Sequence, residues 1–97
     1  MPYYPFSDYS FIKFMKSHKA GKKYDAILRN KKTGGTVKIP FGDLSYEQFR
    51  DKTGLGLYTH LNHNDQKRKM AYRIRHNKDV RPNNYSAGYF SMRYLWD

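Results

Sequence analysis

Alternating apolar positions mark two short segments in the first half of the chain. Tyrosine, alanine and leucine take alternate positions in Lys23–Arg29, and valine and isoleucine do so in Thr36–Pro40. A period of two is typical of a strand with one buried face. The connector Asn30–Gly35 ends in two glycines, which supply the positive φ that a tight turn needs. The pattern therefore predicts a two-stranded antiparallel hairpin.

The segment before this hairpin has its apolar residues at helical spacing. Ser7 is a suitable N-cap, Ala20-Gly21 is a suitable end, and the segment Asp8–Lys19 between them predicts an amphipathic helix. Three roles stay open for this helix: closing the domain's own core, docking on another protein, or lying on a membrane surface. Its apolar arc consists of Phe11, Ile12, Phe14 and Met15.

A second helix is predicted in the stretch Tyr58–His76, where positive charge is densest. Asn64 or Asp65 is the expected N-cap, because its side-chain oxygen can accept from the free amides of the first turn. Within this helix the apolar residues form a narrow arc, through which we expect it to dock. That arc consists of Met70, Ala71 and Ile74.

Two further helices complete the predicted fold. Ser45 and Gln48 have the spacing of a capping box, which predicts a short helix over Tyr46–Lys52. Ala87–Trp96 is strongly aromatic and is predicted as a helix that either covers the domain's core or docks on a partner. The expected class is α+β: a small single domain with a two-stranded antiparallel hairpin and three to four short helices.

The predicted organisation has two parts. Residues 1–22 form an N-terminal amphipathic arm, and residues 23–97 form a small basic α+β domain.

The charge balance indicates the kind of partner. The 97 residues include 19 Lys and Arg against 8 Asp and Glu, a formal net charge of +11. Such a balance points to nucleic acid, an acidic protein surface or an anionic membrane. No apolar run approaches the roughly 20 residues of a membrane span, and no signal peptide is evident, so a soluble protein is expected.

Catalytic and metal-binding patterns are weak. The chain has no cysteine, which excludes disulfides, thiol nucleophiles and cysteine-based zinc sites. His60, His63 and Asp65 lie close together in sequence, but their spacing matches no closed zinc pattern, and the surrounding charge opposes cations. No serine has a nucleophile-elbow context. We expect no enzymatic activity, no metal and no cofactor.

Basic residues interleaved with tyrosine suit phosphate contact and base stacking. No sequence-reading module is visible, so binding to nucleic acid would be independent of sequence; an acidic protein partner is the alternative. The candidate residues for this surface are Arg68, Lys69, Tyr72, Arg73, Arg75, Lys78 and Arg81.

Four pieces of the chain resemble a family of small basic proteins encoded by large double-stranded DNA viruses and some phages, which has no assigned activity. They are Val37–Gly42, the basic run from His63 to His76, Ser86–Gly88, and the closing Tyr94–Trp96. The resemblance covers about residues 23–96. It implies a viral protein, located in the virion and, during assembly, in the host cytoplasm.

The resemblance, together with the composition, favours a non-enzymatic structural protein: a minor capsid or cement component that binds capsid or other virion proteins. The alternative is a sequence-nonspecific DNA-binding or genome-condensing protein; a membrane surface is the less favoured partner. In the structural role, the basic face and the aromatic ends of the chain would contact the partner. The anchoring candidates at those ends are Phe11, Ile12, Phe14, Met15, Tyr89, Phe90, Tyr94 and Trp96.

Overall fold

A computed structural model describes residues 4–76 and 84–97. Its elements confirm the α+β class. In chain order they are β1 (Tyr4–Pro5), β2 (Tyr9–Lys16), β3 (Lys22–Asn30), β4 (Thr36–Asp43), a 3-10 turn (Thr59–Leu61), α1 (Gln66–Arg75), β5 (Asn84–Tyr85) and α2 (Ala87–Tyr94). The described ranges thus contain two α-helices and one 3-10 turn, which is fewer than the three to four helices expected from the sequence.

The predicted hairpin is present as β3 and β4. Tyr24 lies opposite Phe41 and Leu28 opposite Val37 in an antiparallel register. Gly34 has a φ of +75° in the connecting turn, where the Oδ1 of Asn30 accepts hydrogen bonds from the amides of Lys32 and Thr33. The alternation of apolar residues therefore reported the buried face of these strands correctly.

The N-terminal segment is a strand, and the predicted helix over Asp8–Lys19 is wrong. β2 pairs with β3 along its length, which makes β3 the central strand of a three-stranded sheet. The pairing shifts between Phe11 and Lys13, so one extra residue is accommodated and Phe11 and Phe14 reach the same face of the sheet. A bulged strand thereby reproduces the three-residue spacing that a helix would give.

This pairing also places the predicted arm within the domain. Phe11 and Phe14 pack against the buried core, so β2 shares its core with β3 and β4. In addition, β1 pairs antiparallel with β5, with Tyr4 opposite Tyr85. Residues 4–16 are consequently built into the same fold as the C-terminal segment.

The core lies between one face of the sheet and α2. Ser86 caps α2, because its Oγ accepts from the amide of Tyr89. The helix then packs against β4 and buries its apolar side. The buried cluster consists of Tyr24, Ala26, Leu28, Ile39, Phe41, Phe90 and Leu95.

The predicted helix over Tyr46–Lys52 is also wrong. This segment consists of turns and an isolated bridge between Gln48 and Asn62. The Gln48 side chain is fully buried and donates to the carbonyl of Tyr58 and to the Oδ1 of Asn62, at 2.8 and 2.6 Å. A capping box would need the Oε1 of Gln48 to accept from the Ser45 amide, but this oxygen accepts from the Nζ of Lys23 instead.

None of the helices in residues 4–76 and 84–97 combines the length and the apolar character needed to cross a membrane.

Candidate nucleic-acid interface and central cavity

Asp65 caps the N-terminus of helix α1, which confirms one of the two expected N-cap residues. Its Oδ1 accepts from the amides of Lys67 and Arg68, at 2.9 and 3.3 Å. The preceding Asn64 has a positive φ of 53°, a conformation that asparagine tolerates better than most residues. The start of the basic helix is therefore fixed by local sequence.

The side on which α1 docks is the reverse of the prediction. Met70 and Ile74, expected to form the docking seam, are 57% and 71% exposed. Tyr72 is partly buried instead, and its ring stacks on Trp96 with centroids 4.3 Å apart and planes 5° apart. The Tyr72 ring also stacks on His76, with centroids 4.2 Å apart. Stacked aromatic rings bury more area than a narrow Met-Ala-Ile arc, which explains the orientation.

Several of the predicted binding cations hold α1 in place. Arg68 forms a salt bridge with Glu47 at 3.0 Å, and Arg73 forms one with Asp97 at 3.2 Å. The Lys69 ammonium lies over the Phe49 ring, 4.7 Å from its centroid. Arg75 is exposed and has no salt bridge within the described residues. Lys78 and Arg81 lie outside the described residues.

A second basic surface, which sequence reasoning missed, covers the outer face of the sheet. Lys13 of β2 and Lys38 of β4 lie in register on either side of Ile27, and Arg29 follows on the same face. The three cations are exposed and form no salt bridge within the part of the chain described. Ile27 is 7% exposed, because long lysine stems can cover an apolar neighbour while their charges stay in water.

The signal for this surface was present in the strand alternation, which directs Arg29 and Lys38 away from the core. Because Lys13 was predicted to lie in a helix, there was no reason to group it with these two residues. We call the exposed group of Lys13, Arg29 and Lys38 the sheet cations.

Most of the predicted anchoring residues pack within the domain. Phe90 is 1% exposed and belongs to the core. Phe14 contacts Tyr94, with ring centroids 4.6 Å apart, and both are partly buried with Phe11, Tyr89 and Trp96. Ile12 and Met15 remain exposed on β2. Among these candidates, the apolar surface left for a partner is therefore small.

A cavity of about 590 Å³ lies between the sheet end, α1 and α2. Two of its lining residues, Phe41 and Leu95, belong to the buried core. Ala71 of α1 and the first turn of α2 contribute small side chains to the lining, and Trp96 contributes an aromatic one. Sequence reasoning did not find this cavity, because its walls come from four separated segments.

Lys23 lies at the cavity with 1% of its surface exposed. Its Nζ donates to the carbonyl of Tyr46 at 2.7 Å and to the Oε1 of Gln48 at 2.5 Å. Burial lowers the pKa of this amine to about 8, although Asp43 and Asp51 oppose the shift. Lys23 is thus a structural buried amine whose charge is lost more readily than that of a surface lysine.

Ser17, His18 and Asp25 meet at the β2–β3 turn, but not as a catalytic triad. The Ser17 hydroxyl donates to Asp25 at 2.7 Å, and the His18 Nδ1 contacts the other carboxylate oxygen. An activated serine would need its hydroxyl on the imidazole. Burial raises the pKa of Asp25, but the hydrogen bonds from His18 and Ser17 outweigh burial and hold it below the ordinary value.

The histidines near α1 form no evident metal site. His63 accepts from the amide of Asp65 through Nδ1 at 2.9 Å, and burial, followed by the charge of Arg68, lowers its pKa. Within the described ranges, no group of three or more His, Cys, Asp or Glu side chains is arranged to hold a metal ion.

Comparisons with protein-family models, with curated proteins and with solved structures give no match.

Proposed function

We propose that this protein is a non-enzymatic binder of nucleic acid that contacts phosphates without sequence preference. The observation that carries the proposal is the excess of cations over acidic partners. The chain has 19 lysines and arginines. Two of them, Lys78 and Arg81, lie outside the described residues, which leaves 17. Within the described ranges three of these 17 form salt bridges with carboxylates: Lys52, Arg68 and Arg73.

Exposed cations without acidic partners gain most from a polyanion. Each phosphate that a lysine or arginine neutralises releases condensed counterions, and this release supplies most of the free energy of nonspecific binding. An acidic protein surface offers fewer charges per unit length than a nucleic-acid strand. A partner with densely spaced phosphates therefore fits the charge better.

Two surfaces are suited to these contacts. The sheet cations form one, and the exposed Lys67 and Arg75 of α1 form the other. Neither surface presents a row of side chains with fixed donor and acceptor geometry, which base-edge recognition would need. Affinity should therefore be almost independent of base sequence.

A structural role in a virion is the second candidate, as the resemblance to small basic viral proteins implies. The observation that favours it is the exposed apolar pair Met70 and Ile74 on α1, with Ile12 and Met15 on β2 as a second pair. A minor capsid or cement component would bind capsid proteins through such residues. Mass spectrometry of purified virions, before and after removal of the genome, would locate the protein.

The test of nucleic-acid binding is the salt dependence of affinity for DNA duplexes of unrelated sequence. Wild-type affinity should fall steeply with salt and differ little between sequences. Replacing the three sheet cations with alanine should make the slope of log K against log salt shallower by up to about 3. Lys67→Ala/Arg75→Ala should reduce the slope by up to about 2.

Lys52→Ala is the matched control, because its Nζ is already held by Asp97 at 3.1 Å. It should leave the slope nearly unchanged. Absence of binding at low salt, or equal slopes for all variants, would eliminate the proposal.

A further inference from the structure

The central cavity has the dimensions of a ligand site. Its volume of about 590 Å³ falls within the roughly 300–1,000 Å³ of small-molecule pockets. Such sites are mostly apolar, with a few convergent polar groups. This cavity has that composition, since apolar residues such as Phe41 and Leu95 line it together with charged side chains.

The shape between the helices suits a flat group. Ala71 of α1 and Ala87, Gly88 and Ser91 of α2 line the cavity, and all four have small or no side chains. Trp96 adds an aromatic wall, held in place by its stack on Tyr72. These small side chains leave a space beside Trp96, which we call the slot, that a planar ring could occupy.

The charges around this slot favour an anion. Lys22, Lys23, Arg68 and Arg75 line the cavity with two acids, Asp43 and Glu47. Glu47 is already paired with Arg68 at 3.0 Å. Lys22 and Arg75 have no salt bridge within the described residues, so their charges remain available at the edge of the cavity. An anionic group attached to a planar ring would satisfy both features of the site.

We propose that this cavity binds a nucleoside phosphate, with the base in the slot beside Trp96 and the phosphate near Lys22 and Arg75. The nucleotide could be free or an unpaired nucleotide of a bound strand. In the second form the inference rests on the proposed function, and it adds a preference: single strands bind more tightly than duplexes, because a paired base cannot enter the cavity.

Trp96 provides a direct readout. It is the single tryptophan of the chain and lines the cavity, so its fluorescence is sensitive to a ligand bound there. Adenosine monophosphate, a single-stranded oligonucleotide and a duplex of the same sequence would each be titrated into the full chain. The single strand should change the Trp96 emission, and the duplex should bind without that change.

The decisive variant is Ala71→Phe, which fills the slot from α1. Affinity for the single strand should fall about tenfold or more, the effect expected when one stacked base is lost, while duplex affinity stays within about twofold. Met70→Phe adds the same side chain to the exposed neighbouring position and should change neither. Arg75→Gln, which leaves the slot open, should weaken binding of adenosine monophosphate or of the single strand. Circular dichroism would establish that each variant is folded.

The outcomes separate the two proposals. A response of Trp96 to adenosine monophosphate supports a site for free nucleotides, and a response to the single strand alone supports a site for strand nucleotides. Duplex and single strand binding equally, with no Trp96 response in any titration, would overturn the cavity site and leave nonspecific binding intact. A Trp96 response that survives unchanged in Ala71→Phe would also overturn the site. Absence of binding to either DNA, with a Trp96 response to adenosine monophosphate, would overturn nonspecific binding alone.

Discussion

The ring of Phe14 in β2 meets the ring of Phe90 in α2 almost at a right angle, with centroids 5.8 Å apart and planes at 87°. This edge-to-face contact joins the two ends of the described chain in one core. The same phenylalanine also contacts Phe41 and Tyr94. The N-terminal strand is therefore a structural part of the domain.

Removing the Phe14 ring should destabilise the domain substantially. Phe14→Ala should lower the free energy of unfolding by about 2–4 kcal/mol, towards the lower part of the range for core phenylalanines because the ring is only partly buried. Met15→Ala, on the exposed side of the same strand, should cost less than about 1 kcal/mol. Urea unfolding measures both. Equal losses for the two variants would show that β2 is not anchored through Phe14.

Two glycines with positive φ should respond differently to alanine. Gly42 has a φ of +79°, and a Cβ there would lie 2.9 Å from Leu95 Cδ1 and 3.3 Å from Lys23 Cβ. Gly34 has a φ of +75° but no atom within 4 Å of such a Cβ. Gly34→Ala should cost about 1 kcal/mol of backbone strain, and Gly42→Ala about 1–3 kcal/mol more from overpacking. Thermal unfolding of both variants would check the difference, and equal melting temperatures would contradict it.

The buried amine of Lys23 should make the domain more stable at alkaline pH. Burial lowers its pKa from 10.5 to about 8, so between these values the unfolded chain binds more protons than the folded one. Stability should therefore rise as the pH increases from about 8, by the order of 1 kcal/mol.

Tyr24 opposes this gain at higher pH. Burial and its hydrogen bond to Asp51 raise the pKa of Tyr24 from 10.0 to about 12. The stabilisation of the fold by neutral Tyr24 is therefore complete below pH 10 and is lost as the pH rises from 10 to about 12. A stability maximum near pH 10 follows. In Lys23→Met, the increase in stability above about pH 8 should be smaller than in the wild type. If the two proteins have identical profiles of stability against pH, Lys23 is not the cause of the increase.

Asp25 should make the domain sensitive to acid. The pKa of Asp25 is held below the ordinary carboxyl value in the folded state. Ionised Asp25 therefore stabilises the fold above roughly pH 4, and this stabilisation is lost as the pH falls through the folded pKa. Asp25→Asn should weaken the acid dependence and lower stability at neutral pH by about 1–3 kcal/mol. Denaturant midpoints at several acidic pH values provide the measurement. An unchanged acid profile would mean that another carboxylate dominates.

Local signals predicted the elements whose hydrogen bonds are local. The β3–β4 hairpin follows from alternation and two glycines, and the start of α1 follows from the cap Asp65. The β2 strand could not be recognised, because its bulge gives Phe11 and Phe14 a helix-like spacing. A segment such as β2 becomes a strand because it pairs with a neighbouring strand. The periodicity of its own residues carries no information about that neighbour.

Of the candidate site, only the positive charge of α1 could be predicted from the sequence. The cations of α1 could be named from the sequence, but the docked side of that helix is determined by the Tyr72–Trp96 stack, which joins residues distant in the chain. Gln48 likewise depends on distant partners, since its side chain contacts Lys23 and Asn62. The cavity and the sheet cations require the tertiary arrangement.

The pairing of Tyr4–Pro5 with Asn84–Tyr85 has a consequence for how the molecule folds. The β3–β4 hairpin can form early from neighbouring residues, whereas the β1–β5 ribbon must close a loop that spans most of the sequence. During synthesis the first strands therefore wait, with Phe11 and Phe14 uncovered, until the segment that carries Phe90 has left the ribosome. A nascent chain stalled before that segment would expose the apolar side of its sheet and should be recognised by chaperones.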